Sequence, residues 1–178
     1  MDNRCLYLVY QFGQLTDDAA EIEVMIRTYR TYNAEHHDAL VQPYPGALEA
    51  VRSLREAGGR LGVVTSKANA SARQGLALCG FDGLFEVLVG SDDVDRHKPD
   101  PHPVRAALEL LGTAPNEAVY VGDSPHDVTA GRAAGTWTAA ALWGPFTRGQ
   151  LEATAPDVWL NDAAEIASLP GLTPGGGA

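Results

Sequence analysis

"AVYVGDSPHDVTAGRAAG", residues 118–135, runs from an apolar, β-prone stretch into two carboxylates, Asp123 and Asp127, and then into a helix of small residues. Ser124 stands where an N-cap belongs, Pro125 takes the first helical position, and Asp127, three residues after Ser124, completes the spacing of a capping box. That assignment accounts for Ser124 and Asp127 and leaves Asp123 without a structural task. A carboxylate at the strand end and a second in the first helical turn point into one crevice, where they repel each other unless a cation lies between or beside them. The stretch therefore reads as strand, acidic turn and helix, the unit of an α/β fold. Asp123 and Asp127 read as ligands of a hard divalent cation, Mg2+.

Outward from this unit, short β runs alternate with helical ones. Strands are expected at 60–65 (RLGVVT), 85–90 (FEVLVG), 118–122, 136–142 (TWTAAAL) and 157–160 (DVWL). Helices are expected at 47–57, 69–79, 103–111 and 125–134, with Gly58, Gly59, Gly80, Gly112 and Gly135 near their C-terminal ends. This alternation predicts a parallel sheet with helical crossovers. Ahead of it, residues 17–40 carry Ile22, Met25, Ile26 and Tyr29 at helical spacing, with Thr16 before Asp17 and Asp18 as a start signal. The prolines of "QPYPG", 42–46, end that helix. The expected organisation is a helical segment at 1–42, an α/β core at 43–168, and a disordered glycine- and proline-rich tail at 169–178.

A chain of 178 residues fits one α/β domain with a small appendage. Its formal charge of -10 offers no basic stripe, which excludes nucleic acid and anionic membrane as natural partners and favours a small metabolite. Cys5 and Cys79 form no CxxC pair, and the apolar run at 5–10 is too short for a secretory leader, so a reduced, cytoplasmic setting is expected. Nothing in the sequence fixes the oligomeric state. Adjacent His36 and His37 cannot share a helix face and read as solvated side chains, not as metal ligands.

In an open parallel sheet the ligand crevice lies beyond the carboxyl ends of the strands. There the sequence places Thr65, Ser66 and Lys67 after one strand, "SDDVDRHKPDP" after the next, and Gly122, Asp123 and Ser124 after the third. Hydroxyls, lysines and carboxylates together are what a magnesium-assisted phosphoryl site requires. Of the thirteen lysines and arginines only Lys67 and Lys98 are lysine, and both fall in these segments, where a compact ammonium suits a phosphate. Ser66, Lys67, Asn69 and His126 either touch substrate or cap helices, and the sequence leaves both open.

These residues resemble the haloacid dehalogenase-like hydrolase superfamily, and within it the phosphoglycolate phosphatase and pyrophosphatase-like group. Thr65 in "LGVVTSK" resembles the second motif, a hydroxyl that hydrogen-bonds the transferring phosphoryl group. Lys98 in "HKPDP" resembles the third, a lysine that neutralises nucleophile and phosphate. Asp123 and Asp127 in "GDSPHD" resemble the fourth, which holds magnesium. The resemblance implies a Rossmann-like three-layer α/β fold and a small phosphorylated metabolite as partner. Thr65, Lys98 and Asp123 become catalytic residues, and Thr65, Ser66, Lys67 and Lys98 phosphate- or substrate-binding ones. The segment up to Leu40 becomes the remnant of a helical cap. "PYPG" stands at the start of the core in similar proteins. The dehalogenase branch works without magnesium and places Ser-Asn residues where this chain has Thr65-Ser66 and Gly122-Asp123, so phosphate-ester hydrolysis is the better match.

The family's first motif, a strand followed by Asp-x-Asp-Gly-Thr, is not in the sequence. Its first aspartate attacks phosphorus and its second is the general acid and base. The nearest string, "YQFGQL" at 10–15, puts Tyr10 and Phe12 where the acids belong. In the family that strand lies mid-sheet, between those ending at Thr65 and Gly122, so its loss is expected to leave a gap. Residues 5–10 (CLYLVY) either fill that slot as a strand or belong to the cap. Three readings follow. One is a magnesium-dependent phosphatase lacking an N-terminal segment of about 40 residues, a strand and a pair of helices, and nearly inactive as it stands. The second is a non-catalytic, magnesium- and phosphate-binding or interaction protein. The third is a receiver-like phosphoaspartate switch, which the lack of paired acids in the first strand disfavours.

Overall fold

A computed structural model describes residues 6–169. Cys5 and all of the expected tail except Leu169 lie outside them. The chain begins with a helical hairpin, α1 (Leu6–Phe12) and α2 (Ala19–Leu40), which pack against each other, Phe12 meeting Tyr29 edge-on at 6.3 Å. The core follows as α3 (Ala47–Glu56), β1 (Gly62–Val64), α4 (Asn69–Leu78), β2 (Val87–Val89), α5 (His102–Leu111), β3 (Val119–Gly122), α6 (Pro125–Ala134), β4 (Trp137–Ala141), α7 (Arg148–Glu152) and β5 (Val158–Leu160). Short 3-10 turns occupy Pro115–Glu117 and Ala163–Ser168.

The expected strands and helices of the core are all present, each within a residue or two of its expected bounds. Hydrogen bonds from Glu86 N–H to the Leu61 carbonyl and from Thr65 N–H to the Val89 carbonyl continue the β1–β2 ladder past both ends. Gly58, Gly80, Gly112 and Gly135 follow their helices at positive φ, the left-handed turn that lets the last carbonyls find partners. The pattern did not show α7, which begins at a capping box between Thr147 and Gln150.

All pairings are parallel, in register Val63↔Leu88 for β1–β2, Val121↔Ala139 for β3–β4 and Ala140↔Trp159 for β4–β5. They form two sheets, β1–β2 and β3–β4–β5. The helix α5 packs on β1 and β2 and also against α6, which covers β3 and β4, so one helical layer spans both sheets. Where α5 and α6 meet, Val104, Leu108, Ala130 and Ala134 are buried with Tyr120 and Ala118 against them. The small residues of α6 leave room for the Tyr120 ring, which a β-carbon on Gly131 would approach to 2.8 Å. Both β1 and β3 have a single strand partner, and among the described residues no strand stands between them. The gap expected mid-sheet is therefore present.

One open alternative is decided and two expectations are corrected. Residues 6–12 are helical and lie on α2, so "LYLVY" does not fill the slot between β1 and β3. Phe12 meets Tyr29 of α2, a tertiary contact that a β-prone composition alone does not reveal. The second helix starts two residues after the expected signal. Asp18 is its N-cap and accepts from Ala20 N–H, while Thr16 accepts from Asp18 N–H and donates to Glu21. His37 is not solvated: it is 8% exposed, and its ring lies beside Gly75 of α4.

Candidate active site

Lys98 comes from the loop joining β2 to α5 and Asp127 from the first turn of α6, twenty-nine residues later. Their Nζ and Oδ1 atoms lie 2.6 Å apart, both side chains largely shielded from water. This ion pair ties the loop after β2 to the carboxyl end of β3, the end of a parallel sheet at which ligands commonly bind. Around it the local structure is fixed by the capping box. Ser124 Oγ accepts from Asp127 N–H, and Asp127 Oδ2 accepts from both the backbone N–H and the hydroxyl of Ser124. Tyr120, which alternates with Gly122 along β3, donates to Asp127 Oδ1 at 3.4 Å. Asp127 can sit this close to the strand only because residue 122 is glycine. A β-carbon there would come within 2.2 Å of the Asp127 β-carbon.

The capping reading of Asp127 thus applies, and its cationic partner is the Lys98 ammonium. Burial alone would raise the Asp127 carboxyl. The charge and hydrogen bond of Lys98, joined by Ser124, outweigh it and hold the group below its ordinary value. Asp123 goes the other way: burial, reinforced by the Asp127 charge, raises it, and Lys98 offsets only part of the rise. The phenol of Tyr120 is pushed well above its usual value by burial first and by Asp127 second. Two carboxylates share one lysine, leaving an excess of negative charge on a half-buried Asp123. That donor set fits a hard divalent cation with Asp123 as its principal protein oxygen. Among the described residues no group of three or more His, Cys, Asp or Glu side chains gathers into a fuller metal cage.

The raised Asp123 makes a prediction for stability. A carboxyl harder to ionise in the folded than in the unfolded chain favours folding while it is protonated. The benefit is lost as pH rises through its folded value. At pH 7 the metal-free chain therefore carries a penalty that Asp123→Asn removes. The variant should melt above the parent at pH 7, and the two midpoints should converge below about pH 4, where both forms are neutral. Thermal scans without metal across that range check it.

Thr65, half-buried, follows β1, its hydroxyl accepting from Lys67 N–H. Ser66 and Lys67 are exposed, and the Lys67 carbonyl accepts from Ser91 N–H, tying the loops after β1 and β2 together. Among the described residues no hydrogen bond or ion pair joins Thr65, Ser66 or Lys67 to Lys98, Asp123 or Asp127. The Asn69 side chain is spent within the fold: its amide donates to Asp93 and its carbonyl accepts from Arg73. The N-terminus of α4 is capped from the β2 loop, where Asp92 accepts from Asn69 N–H. Asp93, held below its ordinary value by Gly90 N–H and then by Asn69, braces the same loop. His126 is exposed on the first turn of α6. Sequence reading missed Tyr120 and the two acids of the β2 loop. For Tyr120 the available signal was its alternation with Gly122 on the strand that ends in Asp123.

Comparison with known proteins identifies the family. Residues 7–141 match the family model of the haloacid dehalogenase-like hydrolases. The pyrophosphatase PpaX of Bacillus cereus is 44% identical over 149 residues, which cover 84% of this chain and 69% of that protein. Among solved structures, a predicted phosphoglycolate phosphatase of Haemophilus somnus superposes with a TM-score of 0.77 at 25% identity, covering 90% of this chain and 72% of that one. CbbY of Rhodobacter sphaeroides, solved in complex with phosphate, gives 0.70 at 28% identity, covering 83% and 68%. No helix among the described residues is long and apolar enough to cross a membrane.

Proposed function

We propose, for a chain that belongs to the haloacid dehalogenase-like hydrolase family, that its strand-end crevice is the phosphate- and magnesium-binding half of a phosphatase acting on a small phosphorylated metabolite. Phosphomonoesters and pyrophosphate are the substrate classes. The observation that supports this most is the buried Lys98–Asp127 pair with Asp123 beside it, one motif bridging to the next across the slot. Asp123 holds the magnesium, with Asp127 at its side. The ion, when bound, supplies charge that a transferring phosphoryl group and its leaving oxygen need. Lys98, fixed by Asp127, places its ammonium against the equatorial oxygens. Thr65 donates its hydroxyl to the same group, and Ser66 and Lys67 contact the phosphate or the rest of the substrate from the exposed lip. Substrate choice rests with the helical segment at 1–42, and the working compartment is the cytoplasm.

The attacking and proton-shuttling aspartates of the family have no counterpart in this sequence, so the 178-residue chain binds but hardly turns over. The same absence favours one second reading, a magnesium- and phosphate-binding protein without catalysis. Calorimetric titration with magnesium and inorganic phosphate, paired with a pyrophosphate hydrolysis assay, tests both. Phosphate binding that requires magnesium and disappears in Asp123→Asn is expected, with hydrolysis near background. Magnesium-independent binding overturns the site assignment, and rapid hydrolysis by this chain overturns both the predicted inactivity and the second reading.

A further inference from the structure

Leaving β4, the chain makes a loop pinned at two points. Trp143 packs on the cluster of Ala139, Leu160 and Leu169, with Tyr44 edge-on to its ring at 6.5 Å, and Phe146 packs on Val128, Ala140 and Leu151. Between these anchors Gly144 lies directly against Asp123. A β-carbon built on it would stand 2.3 Å from the Asp123 β-carbon and 2.6 Å from its Oδ2, far inside contact distance. The backbone of Gly144 is not among the glycines at positive φ, so its conformation is open to any residue. The three atoms nearest to such a β-carbon all belong to Asp123. From this geometry we infer that Gly144 is a positioning residue. Its bare backbone is the wall that fixes where the Asp123 carboxylate stands, an assignment that rests on Asp123 being the metal carboxylate.

The capping box and the Lys98 pair fix Asp127, whereas Asp123, at the end of β3, has a side-chain hydrogen bond with Asp127 and the charge of Lys98 near it. A methyl group at 144 must push the Asp123 side chain away from the wall or lift the loop off its two apolar anchors. Either shift misplaces the oxygen, and a support displaced behind a metal ligand typically weakens binding about 10- to 100-fold.

The test uses the full chain, Mn2+ as probe, and two readouts: Mn2+ affinity by electron paramagnetic resonance, and metal-free thermal unfolding. Gly144→Ala should weaken Mn2+ binding about 10- to 100-fold. It should also lower the metal-free midpoint, and most of that loss should vanish when Asp123→Gly removes the opposing β-carbon. Unchanged Mn2+ affinity in Gly144→Ala overturns the inference. So does an alanine penalty equal in both backgrounds, because it would mark a glycine needed by the loop itself. Should Gly144→Ala fail to fold, recovery of folding in the Asp123→Gly double variant supports the contact and continued failure refutes it. Should the parent chain bind no Mn2+, the magnesium reading falls on its own, and the unfolding cycle alone decides whether Gly144 walls Asp123.

Discussion

Fusing an apolar strand that ends in Asp-x-Asp-Gly-Thr ahead of α1 should raise magnesium-dependent hydrolysis of pyrophosphate or a simple phosphomonoester by about 10⁴-fold over the 178-residue chain. The expectation follows from what the fold already provides. The ends of β1, β2 and β3 carry a hydroxyl, an ammonium and a carboxylate, but no nucleophile among them. The strands β1 and β3 each have a single strand partner. A strand between them would gain hydrogen bonds along both sides and place its first aspartate level with Lys98 and Asp123. It would also bury apolar surface now open to water, so the fused protein should melt higher as well as turn over. Asn in place of the first added aspartate should keep the higher melting point and lose the turnover. Asp123→Asn in the fused protein should lose it too. A fused chain that folds, binds magnesium and remains inert would overturn the phosphatase reading.

Lys98→Met should be the most destabilising single change at the crevice, lowering the unfolding free energy by about 3–5 kcal/mol at pH 7. The pair is buried on both sides, so methionine keeps the volume but strands the Asp127 carboxylate in a place water barely reaches. Denaturant unfolding measures the loss. The pH dependence gives its sign independently. In the parent, Asp127 is held below its ordinary value, so its contribution is present above the unfolded pKa and fades as pH falls through the folded one. In the variant the lysine no longer opposes burial, the carboxyl rises, and acid neutralises it. The gap between parent and variant should therefore narrow from pH 7 toward pH 4. Adding Asp127→Asn should recover part of the loss at pH 7, limited by the capping box it also weakens. A constant gap across that range would mean that the stranded charge is not the cause.

Much of this molecule was legible before any coordinates. The order of strands and helices follows from apolar periodicity and glycine punctuation, both local properties that each segment carries regardless of its neighbours. The capping box at Ser124 and Asp127 is a four-residue contract between backbone and side chain, and it formed as the spacing required. The same locality explains the failures. Residues 6–12 suit a strand or a helix, and only the presence of α2 beside them decides. His37 looked solvated because nothing within α2 announces that Gly75, on another helix, lies beside its ring.

By itself the sequence determined an α/β chain with one acid at a strand end and a second in the first turn of the next helix, because capping rules and strand-end position act within a few residues. It also determined that no Asp-x-Asp-Gly-Thr string stands in these 178 residues, since a motif is a property of the chain itself. The tertiary structure decided how the two acids differ. Lys98, twenty-nine residues away, neutralises Asp127, and Gly144, twenty-one residues away, walls Asp123. Those pairings depend on which loops the parallel sheet brings to the same end, and charge and close approach act through space, not along the chain.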